Sequence, residues 1–337
     1  MANFDIAVDI GTTNTRIFVA GDGVVLSEPT LVAFNTKTGN KKVFAYGKNA
    51  RYMLGKTPPG TSLVAPVTGG VITDAPRTTM LLKEFFKKIF AEEYFMPRMR
   101  AIVSVPIGLS VDERNLYEGV VLDAHKGIKE VILVENVMLS ALGAGMPIDH
   151  AAGGIIVNIG GGTTEISALS MAKILGGCGI NIGGEKIAVE LIERLALKRG
   201  IRIGLASVQK LIKEVASLYD NDTSARPVDG IGVVDKALSR TRISSIDLLD
   251  VIFPQFVRIA AEIERILNYC QPDAAAELSS KGVHFVGGLS RIPGLSAFMT
   301  NKLGIKCTVP EYPEYAAVVG AGKLLANPEL LQKVAGR

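Results

Sequence analysis

The chain has 337 residues, 48% of them hydrophobic and 21% charged, and 37 Lys+Arg against 33 Asp+Glu leave a net charge of +4. That length exceeds one ordinary core and predicts two domains, while the apolar content and a mean hydropathy of +0.30 exclude long disorder. No block of like charge marks a nucleic-acid surface, so no nucleic-acid partner is expected, and no apolar run reaches the roughly 18–20 residues that span a bilayer. Cys178, Cys270 and Cys307 are scattered, with no CxxC pair, which argues against a disulfide framework or a zinc site and for a reducing cytoplasm. His125, His150 and His284 each stand alone, so histidine catalysis is not expected. The N-terminal residues run straight into a strand, and no signal peptide is expected.

The first predicted element is a hairpin over residues 7–20, AVDIGTTNTRIFVA, in which an apolar strand, a Gly/Thr/Asn turn and an alternating strand follow one another. Residues 78–90 predict a helix with Leu81, Leu82, Phe85, Phe86, Ile89 and Phe90 on one face and Lys83, Lys87 and Lys88 on the other. A buried strand over 101–106 stops at Pro106, followed by a helix over 110–126 and a strand over 131–134. Residues 156–169, IVNIGGGTTEISAL, then repeat the opening hairpin. Helices are expected at 185–199, closed by Gly200, and at 206–218 and 246–269, with strands at 283–286 and 306–309. The polar stretch 219–245 reads as a turn-rich peripheral insertion. A second echo pairs ALGAGMP (141–147) with VVGAGKLLA (318–326), small-residue helical segments that each lie downstream of an apolar strand. Two echoes in matching order predict a duplicated α/β unit with two sheets.

Phosphate chemistry is the reading these turns suggest. Gly11 frees the backbone to approach an anion, and Thr12, Thr13 and Asn14 offer main-chain and side-chain donors. Asp9, ending the strand beside them, is placed to hold Mg²⁺ through water. Gly160, Gly161 and Gly162, with Thr163, make a second and richer turn, and two such turns can clasp a polyphosphate across a cleft. Gly183 and Gly184, with Lys186, open a helix whose N–H groups point forward. Gly287, Gly288, Leu289, Ser290 and Ile292 follow a strand and suit a base, and Gln209, Lys213 and Glu214 are candidate ribose contacts. Neither GxxxxGK[ST] nor GxGxxG occurs, so the P-loop and Rossmann readings lack their marker.

In this order DIGTTNT, NIGGGTTE, GGEK, VGGLSRIPG and GAGK resemble the nucleotide-binding superfamily shared by actin and the heat-shock chaperone ATPases. Within it the chain resembles the bacterial MreB family over nearly its whole length, through NTRIFVAGDGVVLSEPTLVAF, YGKNARYMLGKTPPG, GGVITDA, GAGMP and GGGTTE. The resemblance implies an actin-like α/β fold, two duplicated lobes with ATP or ADP and Mg²⁺ in the interlobe cleft. It divides the chain into a large subdomain (1–30, 70–138 and 322–337) with a small one (31–69), and a second large subdomain (139–180 and 250–321) with its small one (181–249). It also implies head-to-tail homopolymers, in paired protofilaments, on the inner face of the cell membrane, organising shape and wall synthesis.

Departures from the family pattern matter as much. The acid expected before the triple glycine is Asn158, and the Glu-Glu-Pro run expected before the small-residue helix is Glu135-Asn136-Val137. Asn136 thus falls where a residue orienting the attacking water is expected, leaving Glu135 and Thr164 as partial substitutes. Phosphoryl transfer depends on positioning and charge, so an ATP binder with weak or negligible hydrolysis is expected, one that could copolymerise with an active paralogue. Leu289 replaces a glycine of the adenosine turn, and a lysine expected in helix 206–218 falls on Ile212. Tyr94, Phe95 and Met96, beside arginines, match the family's membrane-inserting loop in position. A small-molecule kinase of the same superfamily is the competing reading.

Overall fold

The computed structural model describes residues 5–36, 42–91, 98–150 and 153–335. β1 (Ile6–Ile10), β2 (Asn14–Val19) and β3 (Gly23–Pro29) form an antiparallel meander. β4 (Val32–Asn35), β5 (Val43–Tyr46), the short α1 (Gly47–Arg51) and β6 (Thr61–Val64) follow, the strands making a separate sheet of order β5-β4-β6. β7 (Val67–Thr68) and β8 (Val71–Ile72) pair with each other. α2 (Ala75–Ile89) starts on Asp74, whose carboxylate accepts from the Arg77 N–H at 3.1 Å, and it buries Leu81, Leu82, Phe85 and Phe86. β9 (Met99–Val105), α3 (Val111–Ala124) and β10 (Ile128–Glu135) return the chain parallel to β1, completing a sheet of order β10-β9-β1-β2-β3.

The plan then repeats. After α4 (Asn136–Gly143), β11 (Gly154–Ile159), β12 (Thr164–Ser170) and β13 (Lys173–Ile180) form a second meander. α5 (Gly184–Arg199) ends on Gly200 at φ 63°, a left-handed position that glycine adopts without strain. β14 (Ile201–Arg202), α6 (Leu205–Glu214), β15 (Ala225–Gly232) and β16 (Leu238–Ser244) come next, the strands pairing as β14-β15-β16. α7 (Ser245–Tyr269), α8 (Pro272–Lys281), β17 (Val283–Val286), α9 (Leu295–Leu303), β18 (Cys307–Thr308), α10 (Ala316–Leu325) and α11 (Pro328–Ala335) complete the chain. The large sheet here has the order β13-β12-β11-β17-β18. Matching β1, β2, β3, β9 and β10 to β11, β12, β13, β17 and β18 reproduces every neighbour and every strand direction.

Each five-stranded sheet has its own apolar core, and a third core joins the lobes around α4 and α10. These helices carry the second sequence echo, and glycine lets their backbones touch. A Cβ added at Gly143 would collide with the Ala316 carbonyl, and one at Gly320 with the Leu139 carbonyl. The two contacts are equivalents, since residues 139 and 143 match 316 and 320.

Two expectations change. Residues 219–245 are not a turn-rich insertion, because most of them form the β15–β16 hairpin, which packs Val228 and Ile243 on the second-lobe core. The helix expected over 206–218 stops at Glu214, where Val215, Ala216 and Leu218 turn into the core and the Leu218 N–H bonds the Pro293 carbonyl. β13, α8 and α9 had no counterpart in the sequence reading.

Candidate functional site

Between the lobes lies a cleft of about 580 Å³ whose walls include the two echoed hairpins. The turns are built alike: the Gly11 N–H donates to the Asn14 carbonyl at 3.2 Å, and the Gly160 N–H to the Thr163 carbonyl at 2.9 Å. They also face each other closely. A Cβ at Gly161 would collide with the Thr13 hydroxyl, and one at Gly162 would sit 2.5 Å from the Gly70 nitrogen and 2.6 Å from the Thr12 Oγ1. Thr12 Oγ1 accepts from the Gly70 N–H at 3.0 Å, so the β7–β8 turn closes over the pair. Glycine is required here because any side chain would fill the gap between the turns.

The structure brings Asp9, Gly11, Thr12, Thr13, Asn14, Asn136, Asn158, Gly160, Gly161, Gly162, Thr163, Gly184, Gln209, Ile212, Lys213, Gly287, Gly288, Leu289 and Ile292 to the lining of this one cleft. Others it places elsewhere. Thr164 is fully buried and donates to the Ile182 carbonyl at 2.7 Å, because strand alternation turns it to the core and its neighbour Glu165 to the cleft. Glu135 lies outside the lining, paired with Arg114 at 2.8 Å, and Glu214 pairs with Arg226 at 3.3 Å. Ser290 is buried and donates to the Val286 carbonyl. Gly183 packs on the second turn, where a Cβ would lie 2.6 Å from the Gly161 carbonyl, and Lys186 is outside the lining. The α5 N-terminus is not free as expected, since the Gly184 and Glu185 N–H groups donate to the carbonyls of Gly160 and Gly161. Tyr94, Phe95 and Met96 lie outside the described residues.

The two asparagines that stand where acids were expected meet. Asn158 Nδ2 donates to Asn136 Oδ1 at 2.5 Å, and the Ser140 hydroxyl donates to the same oxygen at 2.9 Å. A neutral, self-satisfied group thus stands where two carboxylates would repel each other.

Of the lining residues that were missed, the echo itself could have found two, Arg16 and Glu165. Asp9 is directly opposite Arg16 in the β1–β2 register, and the equivalent positions 158 and 165 are opposite each other in β11–β12. Arg16 Nη1 donates to Asp9 Oδ2 at 3.2 Å. Burial still holds the Asp9 carboxyl above its ordinary range, against the lowering by Arg16. Glu165 accepts from the Ile107 N–H at 2.7 Å, and burial pushes its carboxyl up to about 7, with Asp9 and Glu135 adding to the rise. At the far end Lys213 is held below the usual lysine range by burial and by Arg51 and Arg291, with Glu314 acting the other way. Arg291 and Glu314 pair there at 2.6 Å.

An actin-like fold, two duplicated α/β lobes closing on a glycine-walled cleft, is the class these observations define. A profile of the MreB/Mbl protein family matches residues 3–333. The chain belongs to the MreB/Mbl family. It is 31% identical over 328 residues to the cell shape-determining protein MreB of Escherichia coli (strain K12), covering 96% of this chain and 94% of that one. MreB5 of Spiroplasma citri bound to ADP superposes with a TM-score of 0.89 at 26% identity, covering 98% of each chain, and its AMPPNP-bound form also scores 0.89. The MamK double helical filament, at 19% identity, shares the fold with a TM-score of 0.79, covering 96% of this chain and 99% of that one.

Proposed function

We propose that the chain binds ATP or ADP between its two clasps and polymerises head to tail into filaments that organise cell shape and wall synthesis. The facing glycine turns carry this reading, because they line one cleft with main-chain donors in the manner that suits a polyphosphate. The related MreB5 binds ADP and AMPPNP, and MamK forms a double helical filament, which supports both halves of the proposal. Gln209, Lys213 and the Gly287–Ile292 turn would take the nucleoside. Hydrolysis is weak in this reading, since Asn136 Oδ1 already accepts two hydrogen bonds and is neutral, so it offers an attacking water little orientation and no base.

The metal that such a site implies is Mg²⁺, and the donors present fit it poorly. Asp9 remains but is committed to Arg16, while Asn136 and Asn158 are neutral and bonded to each other. Among the described residues no cluster of three or more His, Cys, Asp or Glu is placed to hold a metal ion.

The filament would lie on the inner face of the cell membrane, in the cytoplasm, through Tyr94, Phe95 and Met96, with an active paralogue and wall-synthesis proteins as further partners. Among the described residues no helix is long and apolar enough to cross a membrane, so contact would be peripheral and strengthened by avidity along the filament. Calorimetric titration with AMPPNP, followed by sedimentation and electron microscopy with and without nucleotide, tests the core of the proposal. Heat of binding together with nucleotide-dependent polymer is expected, and a flat titration would overturn it. Liposome co-sedimentation that is unchanged in the Phe95→Ser/Met96→Ser variant would remove the membrane contact.

A further inference from the structure

Arg16 stands out in the cleft. It sits on β2 beside the first clasp, two residues after Asn14 and on the same face of the strand. Its side chain is 13% exposed and that of Asp9 is 9% exposed, so the pair is largely withdrawn from solvent. The guanidinium lies 5.4 Å from the centre of the Tyr315 ring, and its one hydrogen bond to another described residue goes through Nη1 to Asp9. Its Nε is buried without a partner. A guanidinium carries five N–H donors, and a buried donor left unmatched is costly, so this group is under-used where it stands.

Charge around it is equally lopsided. A hydrated divalent cation beside a polyphosphate is normally favoured by carboxylates, and here the second-lobe equivalent of Asp9 is Asn158, locked to Asn136. The first-lobe acid already has an internal cation. What remains on this wall is an arginine, whose planar fork matches phosphate oxygens two at a time while one nitrogen stays on a carboxylate.

We propose that Arg16 is a phosphate-binding counter-ion built into the cleft, and that it lets this chain hold a nucleoside triphosphate with little dependence on a divalent cation. The inference rests on the nucleotide reading above. In it the Asp9 carboxylate holds Arg16 rather than a metal's water shell. A small rotation of the guanidinium gives its idle donors phosphate oxygens, and the Tyr315 ring limits where it can go.

The test is calorimetric titration of the full chain with AMPPNP, once in magnesium chloride and once in EDTA, for wild type, Arg16→Lys, Arg16→Met and the neutral-pair variant Asp9→Asn/Arg16→Met. Thermal unfolding checks that each is folded, and the double variant removes the uncompensated acid if Arg16→Met alone does not fold. For wild type the dissociation constants in the two buffers should agree within about threefold. Removing the arginine should weaken binding in EDTA by about tenfold or more while affecting binding in magnesium much less, with Arg16→Lys in between. Wild-type binding that falls about tenfold or more in EDTA overturns the proposal, as does unchanged binding in EDTA once Arg16 is gone. Tight binding in magnesium with loss in EDTA would sink only this inference, whereas no binding in either buffer would sink the nucleotide reading with it.

Discussion

Asn158, at the end of β11, donates its side-chain amide to Asn136, the first residue of α4, so a single neutral hydrogen bond joins the two positions where acids were expected. Two carboxylates at this separation would share a proton or require a cation between them, whereas one amide gives and the other accepts. The two amides therefore complement each other, and placing an acid at one position alone leaves a charge facing an amide in a half-buried setting. Asn136→Glu together with Asn158→Asp should raise steady-state phosphate release from ATP by at least about tenfold over wild type, with little change in AMPPNP affinity in magnesium. Wild-type release already as fast as that of the double variant would contradict the reading.

Glu165 supplies a pH dependence. Its carboxyl is raised to about 7 in the fold, mainly by burial, from an ordinary value of 4.5. The native state therefore holds this proton over a range where the unfolded chain has released it, and stability falls as pH rises between those two values. The contribution is intact below about pH 4.5 and lost as pH passes through about 7, with a ceiling of roughly 3 kcal/mol. Glu165→Gln keeps an acceptor for the Ile107 N–H and removes the charge. Urea unfolding across this range should show the variant more stable than wild type at pH 8 and nearly equal at pH 5, whereas parallel curves would assign the titration to another group.

Much of this architecture could be read before any coordinates, because duplication leaves a trace in composition. The echo of 7–20 in 156–169 foreshadows two five-stranded sheets with one topology, and its turns supply two facing parts of the cleft wall. Attention to the glycines nevertheless hid the positions five residues beyond each turn's first glycine, Arg16 and Glu165, which plain strand alternation places on the cleft side. The same alternation carries Thr164 to the core, where its partner is the Ile182 carbonyl, which a local sequence window does not show. The β15–β16 hairpin escaped for a different reason. Its outer face carries the exposed Ile231 and Leu238 beside Asp229, Arg240 and Arg242, so apolar residues fall on both faces, and only Val228 and Ile243 mark the buried side.

Gly162 tests the clasp independently of any charge. A methyl there would meet the Gly70 nitrogen at 2.5 Å and Thr12 Oγ1 at 2.6 Å, both on the opposite lobe. Gly162→Ala must therefore spread the two turns, and the main-chain donors no longer converge. Affinity for AMPPNP should drop by about tenfold or more. Gly21→Ala is the control for a glycine with open space around it, although its φ of 94° makes some strain there unavoidable. If Gly162→Ala binds nucleotide like wild type, the facing turns do not grip the phosphates.

The α4–α10 crossing makes a sharper claim about stability, because its two contacts are copies of each other. Gly143 meets the Ala316 carbonyl, and Gly320 meets the Leu139 carbonyl, on helices whose buried faces form the core between the lobes. In each case the obstacle is backbone, which cannot rotate aside as a side chain would. Overpacking a rigid core typically costs about 1–3 kcal/mol and more where main chain must move, which outweighs the gain of about 1 kcal/mol in helix propensity from replacing glycine by alanine. Gly143→Ala and Gly320→Ala should each lower the urea midpoint, and by similar amounts, since the duplication gives them equivalent backbone neighbours. Combining them should cost less than the sum, because the first methyl already pries the helices apart and opens the space that the second needs. Additive losses would mean that the two ends of the crossing yield independently and that the helices do not move as one hinge.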